Sequence, residues 1–168
     1  MIHVCSLARL HATVEKVGAR HLVTMINDGT RVVRPASVAA ENHLFLPMHD
    51  ITAEVDGFNA PAEAHVHRLL DFVLRWPRRT PLVVHCWAGI SRSSAGAFIA
   101  ACALSPHRPE ERIARAIREA SETASPNVRL VALADRILGR EGRMIRAVDS
   151  IGRGVPCEEG TPFRIDLE

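Results

Sequence analysis

Val83-Val84-His85-Cys86-Trp87-Ala88-Gly89-Ile90-Ser91-Arg92-Ser93-Ser94 reads as a buried strand, a seven-position loop from Cys86 to Arg92, and the start of a helix. Loop amides that converge at a helix N-terminus suit an oxyanion, because unpaired N–H groups and the helix dipole both favour negative charge there. Arg92 adds a guanidinium fork that matches two oxygens of a tetrahedral anion, which a lysine, as a point charge, does not. The spacing Cys-x5-Arg is weak by itself, since the chain has twenty arginines and Cys102 with Arg108 has the same spacing. Between that second pair lie Ser105 and Pro106 and no glycine, and Cys102 falls on the apolar face of a helix. Only Cys86 has the setting that anion chemistry requires.

Outward from this stretch, apolar runs alternate with helical periodicity. Ile2 to Ser6 reads as a strand, and Leu7, Leu10, Val14 and Val17 follow at helical spacing until Gly18. Leu22 to Ile26 is a second strand ended by the turn signal Asn27-Asp28-Gly29, and His43 to Met48 a third, which by Pro47 either lies at an edge or stops there. A loop from His49 to Ala60 follows, and Pro61 opens a helix carried by Val66, Leu69, Leu70 and Val73 and stopped by Pro77. Pro81 to His85 is the fourth strand. Beyond Arg92 come a buried helix (Ala95, Phe98, Ile99, Cys102, Ala103), a helix opened by Pro109, one capped by Ser125-Pro126, and a last short helix through Met144 and Val148. The pattern predicts an α/β fold with a central, mostly parallel sheet of four to five strands flanked by helices on both faces. Residues 1–151 form the expected domain, and the tail 152–168, in which Phe163, Ile165 and Leu167 alternate as in a strand, is expected to pack on it.

Composition narrows the function. A chain of 168 residues with 47% hydrophobic residues and net charge +2 suits one globular domain, and nothing in that charge points to nucleic acid or a membrane as partner. Four cysteines without a CxxC spacing, no signal-peptide pattern and no membrane-length apolar run give a cytoplasmic, reduced protein as the expectation. At the C-terminal edge of a parallel sheet, where ligands bind, loop amides and a neighbouring arginine can lower a cysteine thiol to roughly 3.5–7.5 and make it nucleophilic at neutral pH. A thiolate in an anion-binding loop points to attack on a phosphate monoester and a phosphocysteine product.

The run His85-Cys86-Trp87-Ala88-Gly89-Ile90-Ser91-Arg92-Ser93 resembles the signature of the cysteine-dependent protein tyrosine phosphatases, nearest the compact dual-specificity type, in a bacterial-type chain. Pro47-Met48-His49-Asp50 followed by a helix and then Leu82 to Cys86 resembles that family's order of acid loop, helix, strand and phosphate loop, and Ser125-Pro126-Asn127 its proline-asparagine helix start, so that residues from about 43 to 138 are covered. The resemblance implies a protein tyrosine phosphatase-like fold with Cys86 as nucleophile, Arg92 as phosphate clamp and Ser93 as the hydroxyl that stabilises the departing thiolate. Trp87, Ala88, Gly89, Ile90 and Ser91 would line the phosphate. His85 would orient the loop, and Asn127 would support it from behind. The family's proton donor lies on a loop well before the cysteine, and Asp50, directly after the third strand, fits better than Asp56 farther along. The expected partner is a phosphorylated protein carrying phosphotyrosine, with phosphate or vanadate-like oxyanions held in the loop. No cofactor and no metal are expected, since His65 and His67, two apart on a helix, point to different faces.

The chain has no tyrosine, so any aromatic wall for the substrate falls to Trp87 or Phe58. A rhodanese-like sulfurtransferase or an arsenate reductase also places a cysteine in an anion loop, but sulfur transfer has no need for Asp50. A catalytically weak phosphoprotein-binding module is the non-enzymatic alternative, and the presence of Cys86, Arg92 and Ser93 together argues against it. Cys5 and Cys102 read as core residues, either of which could serve as a redox partner if close to Cys86.

Overall fold

A computed structural model describes residues 1–167. Five strands, β1 (Ile2–Ser6), β2 (His21–Ile26), β3 (His43–Pro47), β4 (Leu82–Cys86) and β5 (Phe163–Ile165), form one sheet in the order β3-β2-β4-β1-β5. The first four are parallel, and β5 joins antiparallel to β1, pairing Val4 with Phe163 and Ile2 with Ile165. The tail's alternating apolar residues thus close an edge of the sheet. Pro47 lies on the opposite edge strand, where the N–H that proline lacks is not needed by a further neighbour.

Side chains alternate across the sheet, and so do their partners. Cys5, Leu22 and Val83 pack on one face with Leu10 and Val14 of helix α1 (Leu10–Val17). Ile2, Val4, Val23, Met25, Leu82 and Val84 face the larger core, built by α2 (Glu63–Arg75), α3 (Arg92–Leu104), α4 (Glu110–Ala120), α5 (Val128–Ile137) and α6 (Arg143–Ile151). Helix α3 lies inside this layer with Ala95, Phe98, Ile99 and Cys102 fully buried. Its approach to the sheet depends on Gly96, where a Cβ would meet the Met25 sulfur and Val84.

Two helix starts differ from the sequence reading. Pro61 lies outside α2, whose N-cap is Ala62. Helix α5 is capped by Asn127 and not by Ser125-Pro126, because the Asn127 side-chain oxygen reaches the free amides of Arg129 and Leu130, both at 3.1 Å.

Parallel strands point their C-terminal ends the same way. Ser6, Asn27, Met48 and Cys86, at or just beyond the ends of β1 to β4, therefore meet along one edge, and the Cys86–Arg92 loop joins that edge to α3.

Candidate active site

Every flank of the Cys86–Arg92 loop pulls on its carbonyls. Trp87 O accepts from the Leu7 amide at 3.1 Å, Ala88 O from Gly160 at 2.9 Å, Ile90 O from Ser125 at 3.0 Å, and Ser91 O from Ala95 at 3.0 Å and Asn127 at 3.2 Å. The Ser94 hydroxyl lies within hydrogen-bond reach of both Ile90 O and Ser91 O, which share its one proton. In a planar trans peptide the N–H points opposite to the C=O, so carbonyls drawn outward turn the following amides inward. The Gly89 amide shows the result by donating to Cys86 Sγ at 3.3 Å. Gly89 itself has φ +73, and a Cβ there would lie 2.7 Å from Ser6 N and 2.8 Å from Cys5 C, so only glycine lets the loop press against the end of β1.

Cys86 is 2% exposed at the floor of this ring, and its sulfur lies 3.0 Å from Ser93 Oγ. Beneath it His85 is fully buried, with Nδ1 3.3 Å from the Cys86 carbonyl and Nε2 2.8 Å from Thr24 Oγ1. Burial pushes the His85 imidazole down to about 4, with a smaller opposing effect from the Cys86 carbonyl, so the ring is neutral near pH 7. Arg92, also buried, donates through one terminal nitrogen to Asn27 Oδ1 at 2.5 Å and to Met48 O at 2.8 Å. Its Nε has no protein acceptor among the described residues. Asn27, which reads in sequence as part of a turn, is a site residue that the spacing did not reveal.

Asp50 comes to the loop from across the edge. Its Oδ1 accepts from Ser91 Oγ at 2.7 Å and from Asn127 Nδ2 at 2.8 Å. Asn127 thus caps α5 with its oxygen, holds Asp50 with its amide nitrogen, and ties its backbone to Ser91 O. The segment carrying Asp50 closes at its base, where the His49 amide donates to Asn59 O at 2.8 Å and the Asn59 amide to His49 Nδ1 at 2.9 Å. Phe58 packs edge-on against His49 with ring centroids 4.9 Å apart. Asp56 lies in the exposed part of the same loop and lines a hollow with Glu54, Phe58 and Arg129.

Of the aromatic candidates, Trp87 is 61% exposed and Phe58 is 53% exposed. His65 is engaged at the start of α2, where its Nδ1 accepts from the Ala62 amide. Cys102 is buried in α3, and burial pushes its thiol up to about 12. Cys5 is likewise held up to about 12, and strand register sets it opposite His85 while Ser6 faces Cys86, which puts Cys5 on the α1 side of the sheet.

No family model and no curated protein matches this chain. Solved structures do. Human DUSP28 superposes with a TM-score of 0.64 at 18% identity, over 83% of this chain and 94% of that one. A mouse putative dual specificity phosphatase, solved with zinc tungstate, gives 0.62 at 18% identity over 85% and 84%. PTPMT1 gives 0.59 at 19% identity over 84% and 94%. The chain has the dual-specificity phosphatase fold. At these identities the likeness is one of architecture, and in a dual-specificity phosphatase fold built on this sequence the Cys86–Arg92 loop, Asp50 and Asn127 occupy a single edge of the sheet.

Alongside lies a groove of about 600 Å³, lined by Asp50, Ser91 and Asn127 on one side and by Arg153, Val155 and Cys157 of the tail on the other. The tail also stays close under the loop, where a Cβ at Gly160 would lie a tight 3.1 Å from Gly89 O and 3.3 Å from the Ile90 side chain.

Proposed function

We propose that this protein is a cysteine-dependent phosphomonoesterase that hydrolyses phosphotyrosine in proteins through a phosphocysteine intermediate. The observation that carries the reading is the ring of outward-tied carbonyls around Cys86, which leaves loop amides and the buried Arg92 guanidinium to meet an oxyanion. A buried N–H donor such as Arg92 Nε is costly without an acceptor, and a phosphoryl oxygen is an acceptor of the right charge.

In the first step the Cys86 thiolate attacks phosphorus, the bond from phosphorus to the tyrosyl oxygen breaks, and Asp50 protonates that oxygen as it leaves. Both hydrogen bonds to Asp50 end on Oδ1, so Oδ2 is the oxygen suited to carry the proton. In the second step Asp50 takes a proton from water, the water oxygen bonds to phosphorus, and the phosphorus–sulfur bond breaks. Ser93 Oγ, 3.0 Å from the sulfur, donates a hydrogen bond to the departing thiolate. His85, neutral and turned to the Cys86 carbonyl, orients the loop and takes no part in proton transfer.

Exposed Trp87, next to a nucleophile that is almost fully buried, supports an aryl substrate long enough to reach down to the sulfur. The loop interior positions Trp87 and Ile90 carry no charge to meet additional phosphates. The mouse structural neighbour was solved with zinc tungstate, and tungstate is a tetrahedral oxyanion, which supports an oxyanion as ligand for this fold.

Rapid-quench capture tests the proposal. With a labelled aryl phosphate that has a good leaving group, a phosphocysteine adduct forms, disappears in Cys86→Ser and accumulates in Asp50→Ala. No adduct in the unmodified protein, or sulfur transfer from thiosulfate to cyanide in its place, refutes it. Faster turnover of a phosphoserine than of a phosphotyrosine peptide refutes the aryl preference alone.

A further inference from the structure

Three residues on adjacent strands form a hydrogen-bonded line under the nucleophile that the two chemical steps leave unused. Parallel pairing sets Thr24 of β2 opposite His85 of β4, and His43 of β3 opposite Leu22, two positions before Thr24 and so on the same face. Thr24 Oγ1 lies 2.8 Å from His43 Nε2 and 2.8 Å from His85 Nε2, and His85 Nδ1 lies 3.3 Å from the Cys86 carbonyl. Thr24 and His85 are fully buried, and His43 is half-buried.

Counting protons leaves one arrangement. A hydroxyl has a single hydrogen and can donate to only one of two imidazoles. The Cys86 carbonyl only accepts, so His85 carries its proton on Nδ1, and Nε2 of the neutral ring is an acceptor. Thr24 therefore donates to His85 and accepts from His43, which must present Nε2–H. The opposite direction needs a doubly protonated His85, and burial keeps that ring neutral down to about pH 4.

We propose that Thr24 and His43 are positioning residues for Cys86, which lock His85 in its Nδ1–H tautomer and hold it against the Cys86 carbonyl. The consequence for catalysis rests on the reading of Cys86 as nucleophile, whereas the relay itself does not. The charges that face it are Arg34 beside His43 and Arg92 beside His85, both cationic throughout the working pH range. A His43 that gains a second proton still donates through Nε2, so the relay keeps its direction.

Long-range proton–nitrogen correlation of the imidazoles at pH 7 reads the tautomers directly, with His85 expected as Nδ1–H and His43 as Nε2–H. Thr24→Val keeps the side-chain shape, removes the hydroxyl, abolishes the single His85 tautomer and slows alkylation of Cys86 by iodoacetamide about tenfold. His43→Phe does the same, while Thr24→Ser and His43→Gln, which restore the missing group, stay near the unmodified protein. An Nε2–H His85 in the unmodified protein overturns the proposal, as does a Thr24→Val or His43→Phe variant with unchanged tautomer and alkylation. Should Thr24→Val fail to fold, the unmodified spectrum and the two His43 variants still decide. Neither readout needs a phosphate ester, so a protein that lacks phosphatase activity but shows the relay refutes only the proposed function.

Discussion

The loop from Cys86 to Arg92, proposed to bind phosphate, and the loop from His49 to Asn59, proposed to carry the acid, meet at Asp50 but are secured in different ways. The first is buried or half-buried except at Trp87 and has carbonyls tied to β1, α3, the start of α5 and the tail. The second is exposed along most of its length, pinned at its base by His49 and Asn59 and at Asp50 by Ser91 and Asn127. Under the proposed function, nucleophile and anion donors thus sit on the buried, many-times-tied loop, and the proton donor on the exposed, sparsely tied one. A reaction that must first admit a substrate and then place an acid against its leaving oxygen calls for that division.

Disturbing the rigid member is expected to have the largest effect. Gly89→Ala forces a Cβ to within 2.7 Å of the β1 backbone at a φ of +73. Backbone cannot swing aside as a side chain can, so the loop must move, at a cost of roughly 1–3 kcal/mol in strain alone. Turnover and vanadate binding should both fall to background, read by phosphate release and by calorimetry. A variant that still bound vanadate normally would show that the loop is softer than its anchors suggest.

Removing the acid from the yielding member should cost less and depend on the substrate. Asp50→Asn is expected to lower kcat about 10²–10⁴-fold for phosphotyrosine, whose leaving oxygen needs a proton, and far less for an aryl phosphate with an acidic phenol. Oxyanion binding should stay unchanged, since Asp50 donates nothing to the anion. Equal losses with both leaving groups would move the role of proton donor elsewhere, with Asp56 the next candidate.

Stability against pH distinguishes the loops next. The unfolded chain protonates His85 as pH falls through about 6.5, whereas the native ring resists until about 4. The native state therefore loses stability as pH falls from about 6.5 to about 4, by about 1.4 kcal/mol per unit at most and on the order of 3 kcal/mol over the window. Urea unfolding at pH 7 and pH 4.5 measures this, and His85→Gln should flatten the difference. An unaltered slope in that variant would assign it to other groups, such as the half-buried His43, whose imidazole burial also holds low.

The rigid member was the more legible in sequence. A strand of Leu82, Val83 and Val84, a glycine and an arginine at fixed spacing, and an apolar helix are local features, and each appears where the pattern puts it. What ties them together was not legible. Asn27 reads as a turn former, Thr24 as an ordinary β-branched strand residue and His43 as a strand opening, because their meaning comes from strand order β3-β2-β4, which no local pattern encodes. The same holds for Gly160, one of several tail glycines until the tail is seen to pass beneath Gly89. Ser125-Pro126 looked like a helix cap from composition, whereas Asn127 wins the position because its side chain satisfies two amides and Asp50 together.

Asn127 offers the finest test of the comparison, since it belongs to both members. Asn127→Asp keeps an oxygen to cap α5 and loses the amide that donates to Asp50, while adding a like charge beside that carboxylate. Helix stability should change by less than about 0.5 kcal/mol, whereas Asn127→Ala loses about 1 kcal/mol with the cap. Turnover of phosphotyrosine should nonetheless fall about tenfold in the aspartate variant, the scale of losing one support behind a catalytic group, with the anion affinity of the phosphate loop nearly intact. The tie from the Asn127 amide to Ser91 O survives in both variants, because it is backbone. If anion affinity fell along with turnover in Asn127→Asp, the two loops would be coupled through this side chain and the acid loop could not shift without disturbing the cradle. If turnover fell alone, Asn127 holds the acid in place while its backbone separately secures the ring around Cys86.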